Sequence, residues 1–591
     1  MPFVDLQDFL RHLERLGELR RVKVEVDPRL EITEIVTRVV REEGPALLFE
    51  RVRGSPFPLA INILGNRRRI EEALGRPPAE VGEELARLLE RLNPPSVRSF
   101  WEMRGGIRRA LNLRLRRVRR AACQEISEEP DLDRLPILTC WPEDGGRFIT
   151  EGLVFTRDPL TRRSNLGIYR MHVYDRRRTG MHWQIQKGGG FHYYQAEKRG
   201  EPLPVAVVLG GDPSLILSAV LPLPEGFEEV LFSGWLRGAP TPMVRGLTID
   251  LDYPANAEMV LEGVVPPFER EMEGPFGDHF GHYSHAAPFP VFHLQRIVRR
   301  KSPVYPAAVV GKPPQEDRYL GDAAQEMLIP LLKLLHPELR DLWAYYEAGF
   351  HNLVVAAVEA RYPREALKTS LGLLGQGQMS LTKCIVLVDP EVDVRDFRGV
   401  LRAIRDHFHP PEDFILISRA TLDTLDFTSS QMHLGSKMIL DATGRNRPPA
   451  RRAAPRIPDL RDLEPRVLRW ALWEETLLAV QVRAGGREVV ERLVQTPELE
   501  GVPMVVAVSP DVDVTGRESL IWGIFTRFDP ARDIVFERVE LRGAWPVYHG
   551  RMGIDATWKE GYPKPLEMIP EIQERVRHRW KEYFPEGYKS A

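Results

Sequence analysis

The chain has 591 residues, 43% of them hydrophobic, and a formal net charge of −2. That length can bury several cores and predicts three or four domains, while the near-neutral balance gives no general reason to bind nucleic acid or an anionic membrane. Cys123, Cys140 and Cys384 lie far apart with no CxxC pair, which excludes a cysteine zinc site or iron–sulfur cluster, argues against a disulfide scaffold and fits a reducing compartment.

In chain order, Leu6, Phe9, Leu10, Leu13 and Leu16 recur at helical spacing and stop at Gly17, which predicts an amphipathic helix rather than an apolar leader. No apolar run reaches about 18 residues, so no membrane span is expected, and the reading is a soluble cytoplasmic protein without stable membrane insertion. Residues 1–115 mix helical patterns (Asp5–Leu16, Glu31–Glu43, Glu80–Leu92) with short strands (Leu47–Phe49, Leu59–Ile63), predicting an N-terminal α/β domain. The run Arg104–Arg120 carries eight arginines, but interleaved Ile107, Ala110, Leu111, Leu113, Leu115 and Val118 favour the solvated face of a connecting element over a phosphate-binding arm. Residues 116–310 change to short apolar or alternating runs between Gly, Pro, Asp and Asn clusters, the pattern of a mostly β domain, sandwich or barrel.

Residues 311–446 read as a second α/β domain, with a helix at Gly321–Leu335 and buried strands at Leu353–Glu359 and Cys384–Val388. The Pro-, Arg- and Ala-rich stretch Arg447–Arg456 reads as a linker. Val388–Val394 then recurs as Val508–Val514, and Gly435–Thr443 recurs, one residue shorter, as Gly550–Thr557. Residues 456–591 therefore look like a diverged copy of the preceding domain. Counted from the shared glycine, Arg551 stands one place ahead of Lys437, so the copy lacks that lysine and suits a structural or assembly role.

Two segments carry the most chemistry. Glu273-Gly274-Pro275-Phe276-Gly277-Asp278 sets two carboxylates on a backbone forced to turn, and Asn165-Leu166-Gly167-Ile168-Tyr169-Arg170 ends an apolar run in an arginine. Where such segments meet, one guanidinium faces two carboxyls, and their surroundings can push the two acid pKa values apart so that one acid stays protonated as a donor. His279, His282 and His285, three apart behind Asp278, offer a metal cluster as an alternative, although Gly277, Gly281 and Pro288 argue against the helix that would align them. Gly188-Gly189-Gly190 fails the phosphate-loop order, no GxGxxG opens a helix after a strand, and GxSxG is absent; nucleotide-triphosphate, NAD-type and serine-hydrolase sites are not supported.

The two segments together resemble the signature of the UbiD family of decarboxylases, which use prenylated FMN. Asp5–Leu10, Gly17–Leu19, Pro222–Gly226, Gly234–Gly238, Leu261–Gly263, Thr382-Lys383, Leu434–Lys437 and Asp441–Thr443 extend the resemblance in consistent order over residues 1–445. It implies an α/β multidomain fold with a central split β-barrel for cofactor and catalysis. It implies non-oxidative decarboxylation of an aromatic or α,β-unsaturated carboxylic acid, a separate flavin prenyltransferase as the source of prenylated FMN, and a homo-oligomer. The long form is similar to menaquinone-pathway members, which points to a hydroxynaphthoate or hydroxybenzoate substrate.

Residue by residue, the resemblance implies a catalytic network of Arg170, Glu273 and Asp278, with Asp278 delivering the proton. Cofactor contacts would come from Asn165, Ile168, Tyr169, Arg170, Ile185, Gln186, Leu221, Glu229 and Lys383. Asn165, Gln186 and Glu229 would hold Mn2+ or Mg2+, with K+ a further candidate. At Gln186 the family pattern has a histidine; a neutral amide is a weaker ligand for a hard cation, and His182 is a possible substitute. Gln186 also supports a rival reading as a non-catalytic UbiD-like assembly subunit, and His279, His282 and His285 a second rival as a metal-dependent hydrolase or lyase.

Overall fold

The computed structural model describes residues 3–91, 106, 109–184, 188–223, 226–429, 431–444, 455–585 and 587. Most of the expected linker lies outside the described residues. The chain divides into two compact units, Met1–Pro330 with Lys564–Ala591 and Leu331–Pro563, both mixed α/β. Among the described residues no helix is long and apolar enough to cross a membrane.

In the first unit, Asp5 caps the opening helix, Leu6–Arg15, by accepting from the Asp8 N–H, and Leu6, Phe9, Leu10 and Leu13 bury its apolar stripe. Leu19–Val22, Ala46–Phe49 and Leu59–Ile61 form a sheet completed by Tyr305–Ala307, which lies parallel to Leu59–Ile61. The N-terminal region therefore borrows a strand from the far end of the β-rich region, and a three-residue apolar run gives no sequence sign of the sheet it will join. In the basic run, Arg109 pairs with Glu84 and Arg117 with Asp252, so these arginines are engaged by acids of their own unit.

The central sheet has eight strands. Six run in the order Arg270–Glu273, Ala287–Arg299, Met259–Val265, Leu203–Leu209, Phe148–Arg157 and Ser164–His172, and Ile126–Glu128 and Arg178–Gly180 also pair with the long Ala287–Arg299. All these pairings are antiparallel. The segment after Arg178–Gly180 links the two sides of this sheet: the Met181 N–H donates to Pro290 O at 2.9 Å and the His182 N–H to Arg170 O at 3.3 Å. That link brings the strand carrying Arg170 across to the strand carrying Glu273.

The last expected domain ran to residue 591, yet the stretch from Lys564 belongs to the first unit. Its helix, Pro570–Tyr583, packs on Glu31–Arg41, with Ile572, Val576, Trp580 and Tyr583 in one core with Ile35, Val36 and Val39. The apolar stripe of a helix is visible in sequence, but the surface it covers is not.

The second unit holds two five-stranded sheets. The first runs Leu339–Ala344, Val354–Val358, Cys384–Val388, Leu434–Asp441, Phe414–Thr421; the second runs Val467–Trp473, Leu477–Val482, Met504–Val508, Trp545–Ala556, Ile534–Arg542. Both have antiparallel outer pairs and parallel inner pairs. Matching bonds recur: the Tyr345 hydroxyl donates to Val394 O and the Trp473 Nε1–H to Val514 O, each at 2.8 Å. One apolar core contains residues of both sheets, among them Tyr345, Phe414, Trp473 and Phe536.

The sheet register corrects one sequence expectation. Met438 pairs with Cys384 and Met552 with Met504, so Arg551, not the residue after it, stands level with Lys437. The shared glycine misleads because Trp545–Ala556 runs one residue fewer from its glycine to the residue paired with the inner strand. Both cations are buried and donate to backbone carbonyls: Lys437 to Ser380 and Thr382, Arg551 to Leu493, Val494, Thr496, Leu499 and Val502. Arg551→Ala should strand these acceptors and lower the stability of the second unit by about 2–4 kcal/mol, with Arg551→Lys recovering part. Denaturant unfolding of both variants beside the wild type checks this.

Candidate active site

Ser164–His172 carries Asn165, Ile168, Tyr169 and Arg170, and Glu273 ends the strand Arg270–Glu273, paired with Ala287. Between Glu273 and Ala287 the chain leaves the sheet in a loop that holds Asp278. Gly274 adopts φ 91° there, a conformation that side chains resist. At Gly277 an added Cβ would lie 2.1 Å from Trp141 Cδ1. Asp144 holds this loop from the neighbouring turn, accepting from Gly277 N–H at 2.8 Å and from the Cys140 and Trp141 N–H groups at 2.9 and 2.8 Å.

Arg170 sits between the two acids. Its Nε donates to Glu273 Oε1 at 2.9 Å, its Nη1 to Asp278 Oδ2, and its Nη2 to the Ser284 hydroxyl at 3.1 Å. Its guanidinium lies 4.9 Å from the Phe276 ring centroid. His182 Nδ1 is 3.0 Å from Glu273 Oε1, and Asp278 Oδ1 accepts from the His279 N–H at 2.7 Å and lies 2.8 Å from His279 Nδ1. The structure thus joins Arg170, Glu273 and Asp278, as the sequence predicts, and adds His182, Ser284, Phe276 and Asp144. Phe276 stands within the Glu273–Asp278 segment, and the sequence points to His182 only as a metal ligand; nothing in the chain marks Ser284 or Asp144 beyond the nearness of Ser284 to Asp278.

Burial raises the Glu273 carboxyl, but the charges of His182 and Arg170, with their hydrogen bonds, hold it below its ordinary value. Burial raises Asp278 too, and the Arg170 charge and the His279 hydrogen bond hold it well below the usual carboxylate range. The two pKa values are therefore not pushed to opposite sides in the ligand-free protein; one arginine reaches both acids and keeps both ionised. Asp144 behaves differently: burial lifts it to about 7 against three backbone N–H donors.

Asn165 is buried, and its Nδ2 finds no partner among the described residues. Glu229, first residue of the helix Glu229–Arg237, accepts from the Leu166 N–H at 2.9 Å, which sets it beside Asn165. The glycine triplet opens the helix Gly188–Lys198 against this patch: a Cβ on Gly188 would lie 2.0 Å from Asn165 Oδ1, and one on Gly189 2.7 Å from Trp183 Nε1. Tyr169 accepts from the Gly189 N–H at 3.3 Å, and burial pushes its phenol up to about 12. Ile168 and Leu221 belong to one apolar cluster. Ile185 and Gln186 lie outside the described residues. Lys383 is in the second unit, its ammonium buried 2.8 Å from Asp426.

The histidines are not gathered into a ligand set. His279 faces Asp278, His282 Nδ1 lies 3.0 Å from Phe280 O, and His285 is exposed. Among the described residues no group of three His, Cys, Asp or Glu could hold a metal ion. His182 is turned to Glu273.

Family models match most of the chain. The 3-octaprenyl-4-hydroxybenzoate carboxy-lyase N-terminal domain matches residues 10–89, its Rift-related domain 116–313, and its C-terminal domain 318–442 and 467–556. The chain belongs to the UbiD carboxy-lyase family. A Chlamydia pneumoniae relative, named as a subunit of 4-hydroxybenzoate decarboxylase, is 39% identical over 567 residues, covering 95% of each chain. An Archaeoglobus fulgidus protein is 42% identical over 445 residues, 75% of this chain and 92% of that one. Among solved structures, the vanillic acid decarboxylase of Sedimentibacter hydroxybenzoicus in closed form matches with TM-score 0.68 and 28% identity, over 78% of this chain and 97% of that one. The UbiD-class enzyme HmfF of Pelotomaculum thermopropionicum in complex with FMN matches with TM-score 0.63 and 27% identity, over 78% and 99%.

A pH test follows from Asp144. Its folded pKa lies above the unfolded value of about 3.9, so the folded state holds more protons between those values. The stability it contributes is complete below pH 4 and is lost as pH rises through about 7. Asp144→Asn removes this titration and loses an acceptor, costing about 1–3 kcal/mol at pH 5. The deficit should shrink by pH 8, read as the difference in Tm between variant and wild type at the two pH values.

Proposed function

We propose that the chain is a non-oxidative decarboxylase of aromatic or α,β-unsaturated carboxylic acids that works with prenylated FMN, on a hydroxybenzoate or hydroxynaphthoate of a quinone pathway. The observation that carries this reading is Arg170 held between Glu273 and Asp278, both buried and both ionised. The name of the Chlamydia pneumoniae relative supports a hydroxybenzoate, and an HmfF structure in complex with prFMN supports the cofactor.

The residues present fit the cofactor and its cation. An unpartnered buried amide at Asn165, a carboxylate beside it at Glu229, and a backbone cleared of side chains at Gly188 and Gly189 suit a phosphate bridged by a hard divalent cation. Asn165, Glu229 and Gln186 would hold Mn2+ or Mg2+, with K+ also accommodated; Tyr169, Ile168, Ile185 and Leu221 would line the cofactor. When bound, prenylated FMN supplies the electron sink that lets the carbon–carbon bond to CO2 part.

The chain's own residues do the rest. Arg170 binds the substrate carboxylate, and that added negative charge draws on a guanidinium that otherwise holds Asp278 ionised. Asp278 then takes up a proton and delivers it to the carbon that CO2 leaves. Glu273, held by Arg170 and His182, stays ionised and fixes the arginine. The intact network opposes the non-catalytic reading.

We read the eight-stranded sheet as the family's split β-barrel and residues 456–563 as a diverged copy of 311–446 with an assembly role in a homo-oligomer. A flavin prenyltransferase would supply the cofactor in the cytoplasm.

Asp278→Asn should lower kcat by about a hundredfold or more while flavin content is kept, measured on enzyme co-expressed with a flavin prenyltransferase. Wild-type turnover in that variant would move the proton donor elsewhere. Glu229→Ala removes the charged ligand and should lose metal and flavin together, read as metal and flavin stoichiometry beside the wild type.

A further inference from the structure

On returning to the first unit, the chain pairs at once with the Asp278 loop. The Leu566 N–H donates to Gly281 O at 2.9 Å, and Lys564 O accepts from the Tyr283 N–H at 3.1 Å, with Pro565 opposite His282. The Leu566 side chain is buried and fills the space above Gly277, where an added Cβ would lie 2.9 Å from its Cδ2. Lys564 Nζ lies 2.7 Å from the Glu143 carboxylate, and the Glu143 N–H donates to the Tyr283 hydroxyl at 3.1 Å.

The loop itself is a tight hairpin. Asp278 N–H donates to His282 O, Gly281 N–H to Asp278 O, and Ser284 N–H to Phe276 O. Its inner side meets Arg170 through Asp278 and Ser284; its outer backbone groups, Gly281 O and Tyr283 N–H, are met by residues 564–566. That segment is anchored behind. The Tyr583 hydroxyl and the Arg579 guanidinium both donate to Glu31, and Arg38 donates to Gln573 O at 2.9 Å.

We propose that residues 564–566 form a positioning strap that fixes the Asp278 loop against Arg170, with Leu566 as its wedge and the helix Pro570–Tyr583 as its anchor. The strap acts through the loop and touches no reacting atom. Its consequence for turnover rests on Asp278 being the proton donor; its mechanical part does not.

The test uses full-length protein loaded with prenylated FMN: wild type, Leu566→Ala, the conservative Leu566→Met, and Tyr583→Phe, which loosens the anchor from a distance. Amide hydrogen exchange is followed over residues 276–284 and over the two five-stranded sheets; kcat and KM are measured on a hydroxybenzoate, also in an Asp278→Asn background. Leu566→Ala should speed exchange over 276–284 by about tenfold or more and leave the sheets unchanged. Its kcat should fall about tenfold with KM within about twofold, Leu566→Met should restore both, and Asp278→Asn should abolish the further loss. Tyr583→Phe should speed exchange at the loop to a smaller extent.

Unchanged exchange over 276–284 in both Leu566→Ala and Tyr583→Phe would overturn the strap. Faster exchange with an equal kcat loss in the Asp278→Asn background would make the contact merely structural and overturn the positioning role. If the wild type turns over no hydroxybenzoate, that substrate assignment falls, while the exchange result still decides whether the strap holds the loop.

Discussion

One guanidinium makes the burial of two carboxylates tolerable. Glu273 is fully buried and Asp278 nearly so, and an unpaired carboxylate at such depth would protonate or destabilise the fold by several kcal/mol. Arg170 meets both, and His182 and His279 each meet one from the far side. The architecture follows from keeping that guanidinium in place. The Met181–His182 link joins the two sides of the sheet, Asp144 ties down Gly277, and Phe276 stacks on the arginine. Such a cluster is poised to respond to one more negative charge, because its single delocalised cation is already shared.

Much of this was legible in the chain, for reasons that differ by residue. Arg170, Glu273 and Asp278 sit in segments whose glycines and proline announce a turn, so their convergence could be argued before any coordinates. The opening helix was fixed by its leucine period, and the two α/β sheets by repeated segments. His182 and Asp144 were not legible in these roles. Each acts through a contact made by the closing of a sheet or a turn, and nothing in the neighbouring residues marks it. The expectation that the two acids would titrate apart failed for a similar reason: the number of carboxylates an arginine reaches is a matter of geometry, not of spacing along the chain.

The second unit shows how two sheets of the same strand order can differ in chemistry at equivalent points. Lys437 and Arg551 stand at equivalent points of two sheets with the same strand order, and each satisfies carbonyls that lie in its own module. The Lys437 ammonium meets two carbonyls; the Arg551 guanidinium, with its wider fork of donors, meets five. A difference that reads as a lost functional lysine in sequence is, in the fold, a different way of meeting buried backbone acceptors.

The helix Pro570–Tyr583 leaves the N-terminal region dependent on residues made much later. Glu31, buried under Tyr583 and Arg579, waits 552 residues for that tyrosine hydroxyl. At a synthesis rate of about 5–20 residues per second, roughly half a minute to two minutes separate the two leaving the ribosome. Through that interval the apolar face of Glu31–Arg41 that Trp580 and Val576 will cover stands open on the nascent chain. The Asp278 loop emerges long before its last three tethering residues. Tethering of the loop therefore waits for residues 564–566, and a chain released before they are made would carry a formed sheet and an untethered acid.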